Sequence, residues 1–265
     1  MAKTQSARTQ NKQIMEAAKS AEQFFKADLQ ALNGSGVSGE VLIFFDHDTG
    51  KLTVIVNADG LEPGQVHLQH IHGFTEEGRV AVIPGAEADL DQDGFLEFLE
   101  GAPDYGGVLL NVALNHEDGT GADNGHSHDG AFSGFPTAPN GTIRFIETYD
   151  LASLNPATDP LEAMPDIENY HFVIHGLSLG AGDGIASDIG FEADGTAGYK
   201  LVLPAAIGDF EEITRMEAMR EVGGVRRDFA QDRAETRREM AADRRAERKA
   251  DDDGPSNHGD WMMMG

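Results

Sequence analysis

The chain has 265 residues, 40% of them hydrophobic, with a formal net charge of −26 and no cysteine. That length buries one sizeable core, so a main domain with appendages is expected. The lack of cysteine excludes a disulfide scaffold, thiolate catalysis and Cys-ligated zinc or iron–sulfur sites, leaving His, Asp and Glu as the strong metal ligands.

The charge is concentrated in the middle of the chain. Residues 1–28 hold 5 Lys+Arg and 3 Asp+Glu, residues 29–212 hold 4 and 31, and residues 213–265 hold 11 and 12. A central domain at −27 repels polyanions, which makes nucleic acid and anionic membranes poor partners and suits cation binding or a high-salt habitat. No apolar run approaches the roughly 18 residues that span a bilayer, and Met1–Gln23 lacks the apolar segment of a secretory signal. The expectation is a soluble chain, either cytoplasmic or exported by a non-classical route.

The first segment, residues 1–29, carries apolar positions at Ile14, Ala18, Ala21 and Phe25, a stripe that predicts an amphipathic helix over Gln10–Asp28. It either docks on its own domain or serves as a partner-binding arm. Residues 30–212 then change texture. β-rich runs at Glu40–Phe45, Lys51–Asn57, Val66–His72, Val108–Leu114, Thr142–Thr148, Tyr170–Gly176 and Tyr199–Leu203 are separated by turn signals such as Asp59-Gly60 and Asn140-Gly141. They predict an all-β fold, an antiparallel Greek-key sandwich or barrel. Two connections, Gly73–Gly107 and Asn115–Gly141, are too long for hairpins and hold many candidate metal ligands. Residues 213–265 read as a charged helix interrupted at Gly223-Gly224, followed by a flexible tail ending in Trp261-Met262-Met263-Met264. Both terminal helices are candidates for self-association.

Within the first long connection, Asp89-Leu90-Asp91-Gln92-Asp93-Gly94-Phe95-Leu96-Glu97-Phe98-Leu99-Glu100 fits the twelve-residue EF-hand calcium loop. Asp89, Asp91 and Asp93 would supply oxygens, Gly94 the sharp turn, and Phe95 its carbonyl. Glu97 would act directly or through water, and Glu100 would close the site with both oxygens. The long flanking helices of a sensor module are missing, so the loop reads as a solitary calcium clip inside a β-domain.

Nine of the ten histidines fall between His47 and His175. His70 and His72, two apart on one strand, project from the same face, where two imidazoles reach one metal ion. His67 points to the other face and reads as a packing or surface residue. A second cluster, His116 with His126, His128 and Asp129, lies in a glycine-rich acidic loop. A third, His171 and His175, shares one face of a later strand.

The motif His70-Ile71-His72-Gly73, followed by Phe172-Val173-Ile174-His175-Gly176 and then by Tyr199–Gly208, resembles the framework of CHRD (chordin-type) domains and copper/zinc superoxide dismutases over about residues 30–210. The resemblance implies copper at His70, His72 and His175, and zinc or a second metal at His116, His126, His128 and Asp129. Departures stand beside it. The chain has no cysteine for the dismutase disulfide, no Arg between Arg144 and Arg215, and a calcium-type loop where dismutases have a short connection. The expected function is therefore a metal-binding β-sandwich, with calcium at the loop and copper or zinc at the histidines, and little or no catalysis. The alternatives are a superoxide dismutase of copper-only or copper/zinc type and a calcium-stabilised structural or assembly protein.

Overall fold

The computed structural model describes residues 7–76, 78–114, 134–154, 160–161, 167–184 and 192–252. Two compact units are present, Met1–Gly223 and Gly224–Gly265. The first holds helix α1 (Ala7–Ser20) and strands β1 (Gln23–Ala31), β2 (Ser38–Asp46), β3 (Lys51–Asp59) and β4 (Gln69–Gly73). Helix α2 (Phe98–Tyr105) follows, then β5 (Gly107–Asn111), β6 (Thr142–Asp150), β7 (His171–Leu179), β8 (Gly198–Asp209) and β9 (Glu211–Glu212).

All pairings are antiparallel, in the ladder order β5-β4-β7-β8-β1-β2-β3-β6, with β9 also on β1. Strands β1 to β3 form a meander, and β8 returns to lie beside β1, which is Greek-key connectivity. Alternate side chains from distant parts of the ladder meet in one core: Val41, Ile43, Val54 and Val56 with Ile71, Leu110, Phe172 and Ile174. The sheet therefore folds onto itself as an antiparallel half-barrel, as the strand pattern predicts. Because Ile71 and Ile174 point inward, the period-two rule turns His70, His72 and His175 to the outer face.

The N-terminal helix is shorter than its stripe predicts. It stops at Ser20, and Gln23–Ala31 form a strand. From Phe25 onward the buried residues Phe25, Ala27 and Leu29 alternate with Lys26, Asp28 and Gln30. That segment gains seven paired positions on β2, from Gln23↔Phe45 to Leu29↔Gly39. Ile14, Ala18, Ala21 and Phe25 satisfy a helical spacing, but the two-residue period after Ala21 decides the structure. Gly223-Gly224, expected as an interruption, lies inside the continuous helix α3 (Arg215–Asp252). Each glycine weakens a helix interior by only about 1 kcal/mol, and the flanking Ala, Glu, Arg and Met favour continuation. Among the described residues no helix is long and apolar enough to cross a membrane.

Candidate metal centre

Strand β4 carries His70 and His72, and the adjacent strand β7 carries His175, pairing through Gln69↔Ile174 and His70↔Val173. The register shifts at Ile71/His72 and on both sides of His175, and such bulges re-aim side chains. The outcome is three buried imidazoles with one ring nitrogen each inside a common 4.8 Å limit. Ring centroids are 5.4 Å apart for His70–His72, 5.2 Å for His70–His175 and 5.8 Å for His72–His175.

Two of these rings are fixed from behind. Nδ1–H of His72 donates to the Gly106 carbonyl at 3.0 Å, and Nδ1–H of His175 donates to the Val202 carbonyl at 2.7 Å. A carbonyl only accepts, so the proton of each neutral ring sits on Nδ1 and Nε2 keeps its lone pair. Both Nε2 atoms are buried without a hydrogen-bond partner among the described residues. Burial, reinforced by the His175 ring, pulls the pKa of His72 down to about 3, and burial pulls His175 down to about 4. Both rings are neutral near pH 7, the state that binds a metal ion.

Aromatic rings cover the centre. Tyr105 lies edge-on to His72 at 4.8 Å, Phe98 lies 6.3 Å from His72 and 6.1 Å from His175, and Phe135 lies 5.5 Å from His70. Phe98 and Tyr105 are the first and last residues of α2, and Tyr105 Oη donates to the Phe98 carbonyl at 2.8 Å. Gly106 ends the helix at φ 83°, and a Cβ there would collide with the backbone of Gly73 at the end of β4.

The acidic loop leads into the same helix. Asp93 N–H and Gly94 N–H donate to the Asp89 carboxylate at 3.2 and 3.0 Å, Phe95 N–H donates to Asp93 at 2.8 Å, and Gly94 adopts φ 90°. Glu97 and Glu100 are the N-cap and third residue of α2 and cap one another reciprocally. Glu100 also accepts the Leu90 N–H at 2.8 Å. Carboxylate oxygens of Asp89, Asp91 and Asp93 fall within 4.8 Å of one another, as do those of Asp91, Glu97 and Glu100. Glu97 is 1% exposed; its Oε1 accepts the N–H groups of Glu192 and Ala193 at 2.8 Å each. Its Oε2 has no partner among the described residues. Burial and the neighbouring Glu97 charge raise the Glu192 carboxyl to about 7.

The structure thus brings together His70, His72 and His175, and separately folds Asp89, Asp91, Asp93, Glu97 and Glu100 into one loop with Phe95 on its rim. His116, His126, His128 and Asp129 lie outside the described residues. His171 faces His72 across the β4–β7 ladder but is not one of the three grouped imidazoles. His67 is fully buried, with Nδ1 and Nε2 directed at the carbonyls of His175 and Glu62, so it packs behind the centre. Spacing did not mark Phe98, Tyr105, Phe135, Gly106 or Glu192. The paired glycines at 106 and 107 were the one available sign of a constrained turn there.

No family model matches the chain, and no curated protein matches it. Among solved structures, a mutant of superoxide dismutase 5 from Candida albicans is similar at 10% identity and TM-score 0.35, covering 73% of this chain and 94% of that one. A double mutant of a superoxide dismutase-like protein from Bacillus subtilis is similar at 20% identity and TM-score 0.33, covering 69% and 95%.

Proposed function

We propose that this protein binds two kinds of metal ion on one β-domain: copper at His70, His72 and His175, and calcium at Asp89–Glu100. The observation that carries the reading is the pair of buried Nε2 lone pairs on His72 and His175, each aimed by an Nδ1–H···O=C bond. A buried polar atom without a partner is costly, and a metal ion satisfies it. Imidazole suits copper and zinc alike, and nothing thiolate competes in a chain without cysteine. Copper bound there would supply a one-electron redox couple. The chain's own residues hold His72 and His175 neutral and fix their tautomers, and Phe98, Tyr105 and Phe135 would keep water from the ion.

The calcium assignment is supported by the carboxylate grouping and by the turn at Gly94. Oxygen ligands favour calcium at the loop and imidazoles favour copper or zinc at the strands, so calcium and the transition metal prefer different sites. The test is metal analysis of the purified protein, followed by copper(II) titration of the wild type and of His72→Ala and His175→Ala. Nitrogen-dominated ligation that both substitutions weaken supports the centre. Retained affinity in both variants overturns it.

A further inference from the structure

We infer that cation binding at the acidic loop raises the affinity of the histidine centre, with α2 as the transmitting element; this rests on the two-metal reading above. Helix α2, with its N-cap Glu97, joins the two sites. At its start, Glu97 and Glu100 are at once loop positions nine and twelve and the two halves of the helix capping box. At its end, the Gly106 carbonyl holds Nδ1–H of His72 at 3.0 Å. Phe98 places its ring against His72 and His175, Tyr105 places its ring against His72, and the Tyr105 hydroxyl ties the last turn back to the first. The capping residues cannot move without moving the carbonyl that orients His72.

A second tie runs parallel to the first. Asn33 accepts the Leu96 N–H at 2.7 Å and donates through Nδ2 to the carbonyls of Leu96 and Pro204, each at 2.9 Å. Leu96 immediately precedes the loop's Glu97, and Pro204 pairs with His175 in the β7–β8 ladder. Both ends of the histidine centre are therefore fastened to the loop.

The loop is built to need a cation. Glu97 is 1% exposed, and its Oε2, with Asp91 Oδ2, lacks a hydrogen-bond partner among the described residues. Glu97 lies in the group with Asp91 and Glu100 and is backed by the buried Glu192. Without a cation, like charges crowd the helix start and loosen the capping box. With one, Glu97 and Glu100 are pinned, and α2 holds His72 in register and keeps the aromatic cover closed. Through-space repulsion between two bound cations acts in the opposite direction. The sign of the coupling therefore separates transmission through α2 from simple charge effects. Loss of an outer hydrogen-bond partner of a metal-bound histidine typically weakens metal affinity about 10–100-fold, so a calcium effect of about tenfold is expected. Linkage requires copper to tighten calcium by the same factor.

The experiment is copper(II) titration of the full chain, stripped on a chelating resin, against a competing ligand. It is run with and without saturating calcium chloride at matched ionic strength, and then reversed as calcium titration of copper-loaded and metal-free protein. About tenfold tighter copper with calcium, the reciprocal gain for calcium, and loss of the calcium effect in Asp89→Ala are expected. In Tyr105→Phe, which keeps the ring and both ligand sets but cuts the tie to Phe98, the ratio of copper affinities with and without calcium, measured within the variant, should shrink toward one, and a wild-type ratio overturns transmission through α2. Both metals bound with copper affinity unchanged or weakened by calcium overturns the coupling and leaves the two-metal reading standing. Failure of calcium to bind, or of copper to bind the histidines, overturns both. If Asp89→Ala does not fold, the wild-type reciprocity decides alone.

Discussion

His72 donates its Nδ1 proton to the carbonyl of Gly106, so the residue that ends α2 also sets which nitrogen of the histidine faces the metal. Gly106 holds φ 83°, and a Cβ at that position would fall on the backbone of Gly73. A side chain there is strained in itself and would push the end of β4 away. Gly106→Ala should destabilise the metal-free protein by about 2–3 kcal/mol and weaken copper binding as His72 loses its orientation. Urea unfolding and copper titration check both, and an alanine variant with wild-type stability contradicts the role.

The neutral imidazoles make stability depend on pH. His72 is held at about 3 and His175 at about 4 in the folded state, against about 6.5 when unfolded. The unfolded chain therefore binds more protons below about 6.5, and stability that is complete above that pH is lost as pH falls toward the folded values. From pH 8 to pH 5 the loss in metal-free protein should be roughly 2 kcal/mol for each ring. Chemical unfolding at a series of pH values measures it: because Glu192, raised to about 7, opposes the histidines over the same range, the readout is the difference between wild type and His175→Gln, which should change by roughly 2 kcal/mol from pH 8 to pH 5. A difference between wild type and His175→Gln that stays flat from pH 7 to pH 5 would mean that His175 titrates in the fold as it does in the unfolded chain.

How far the sequence led depends on what each residue advertises. His70 and His72 stand two apart in a strand-like run, so the strand period alone places them on one face, and the Asp89–Glu100 spacing is a chemical pattern independent of tertiary structure. The aromatic cover has no such signature. Phe98, Tyr105 and Phe135 are ordinary aromatic residues in long connections, and only the folded contacts with His70, His72 and His175 show what they touch. Strand β1 was hidden because Ile14, Ala18, Ala21 and Phe25 continue a helical stripe across a segment whose buried residues then alternate. The hydrogen bonds available on β2 outweighed that local preference, and such long-range pairing is what a window of sequence cannot contain.

Asn33 is one of two described non-glycine residues with positive φ, at 54°, a conformation that asparagine tolerates. Its amide satisfies Leu96 on both sides and reaches Pro204. Asn33→Asp keeps the shape but replaces two donated hydrogen bonds by a carboxylate facing two carbonyls. A loss of about 2–4 kcal/mol is expected, exceeding that of Asn33→Gly, which keeps the backbone conformation without introducing charge. Thermal or urea unfolding of the pair tests the order, and an aspartate variant as stable as the glycine variant would contradict it.

Copper-loaded protein should be a poor superoxide dismutase. An anionic substrate needs a positive approach, and residues 29–212 contain two arginines, Arg79 and Arg144, in a segment of net charge −27. Arg144 is engaged away from the histidines, with Nη2 on Asp59 at 2.7 Å and Nη1 on the Ala58 carbonyl at 2.8 Å. Arg79 lies over the Phe74 ring and donates to the Pro103 carbonyl at 3.2 Å, which leaves it the one exposed arginine of this segment against the acidic surround. The rate constant should fall far below the diffusional ceiling of about 10⁸–10⁹ M⁻¹s⁻¹. It should also rise with salt at low ionic strength, because screening relieves repulsion between the surface and the anion. Pulse radiolysis across ionic strengths measures both quantities. A near-diffusional rate that declines with added salt would reverse the conclusion and require a cationic approach that Arg79 and Arg144 do not provide.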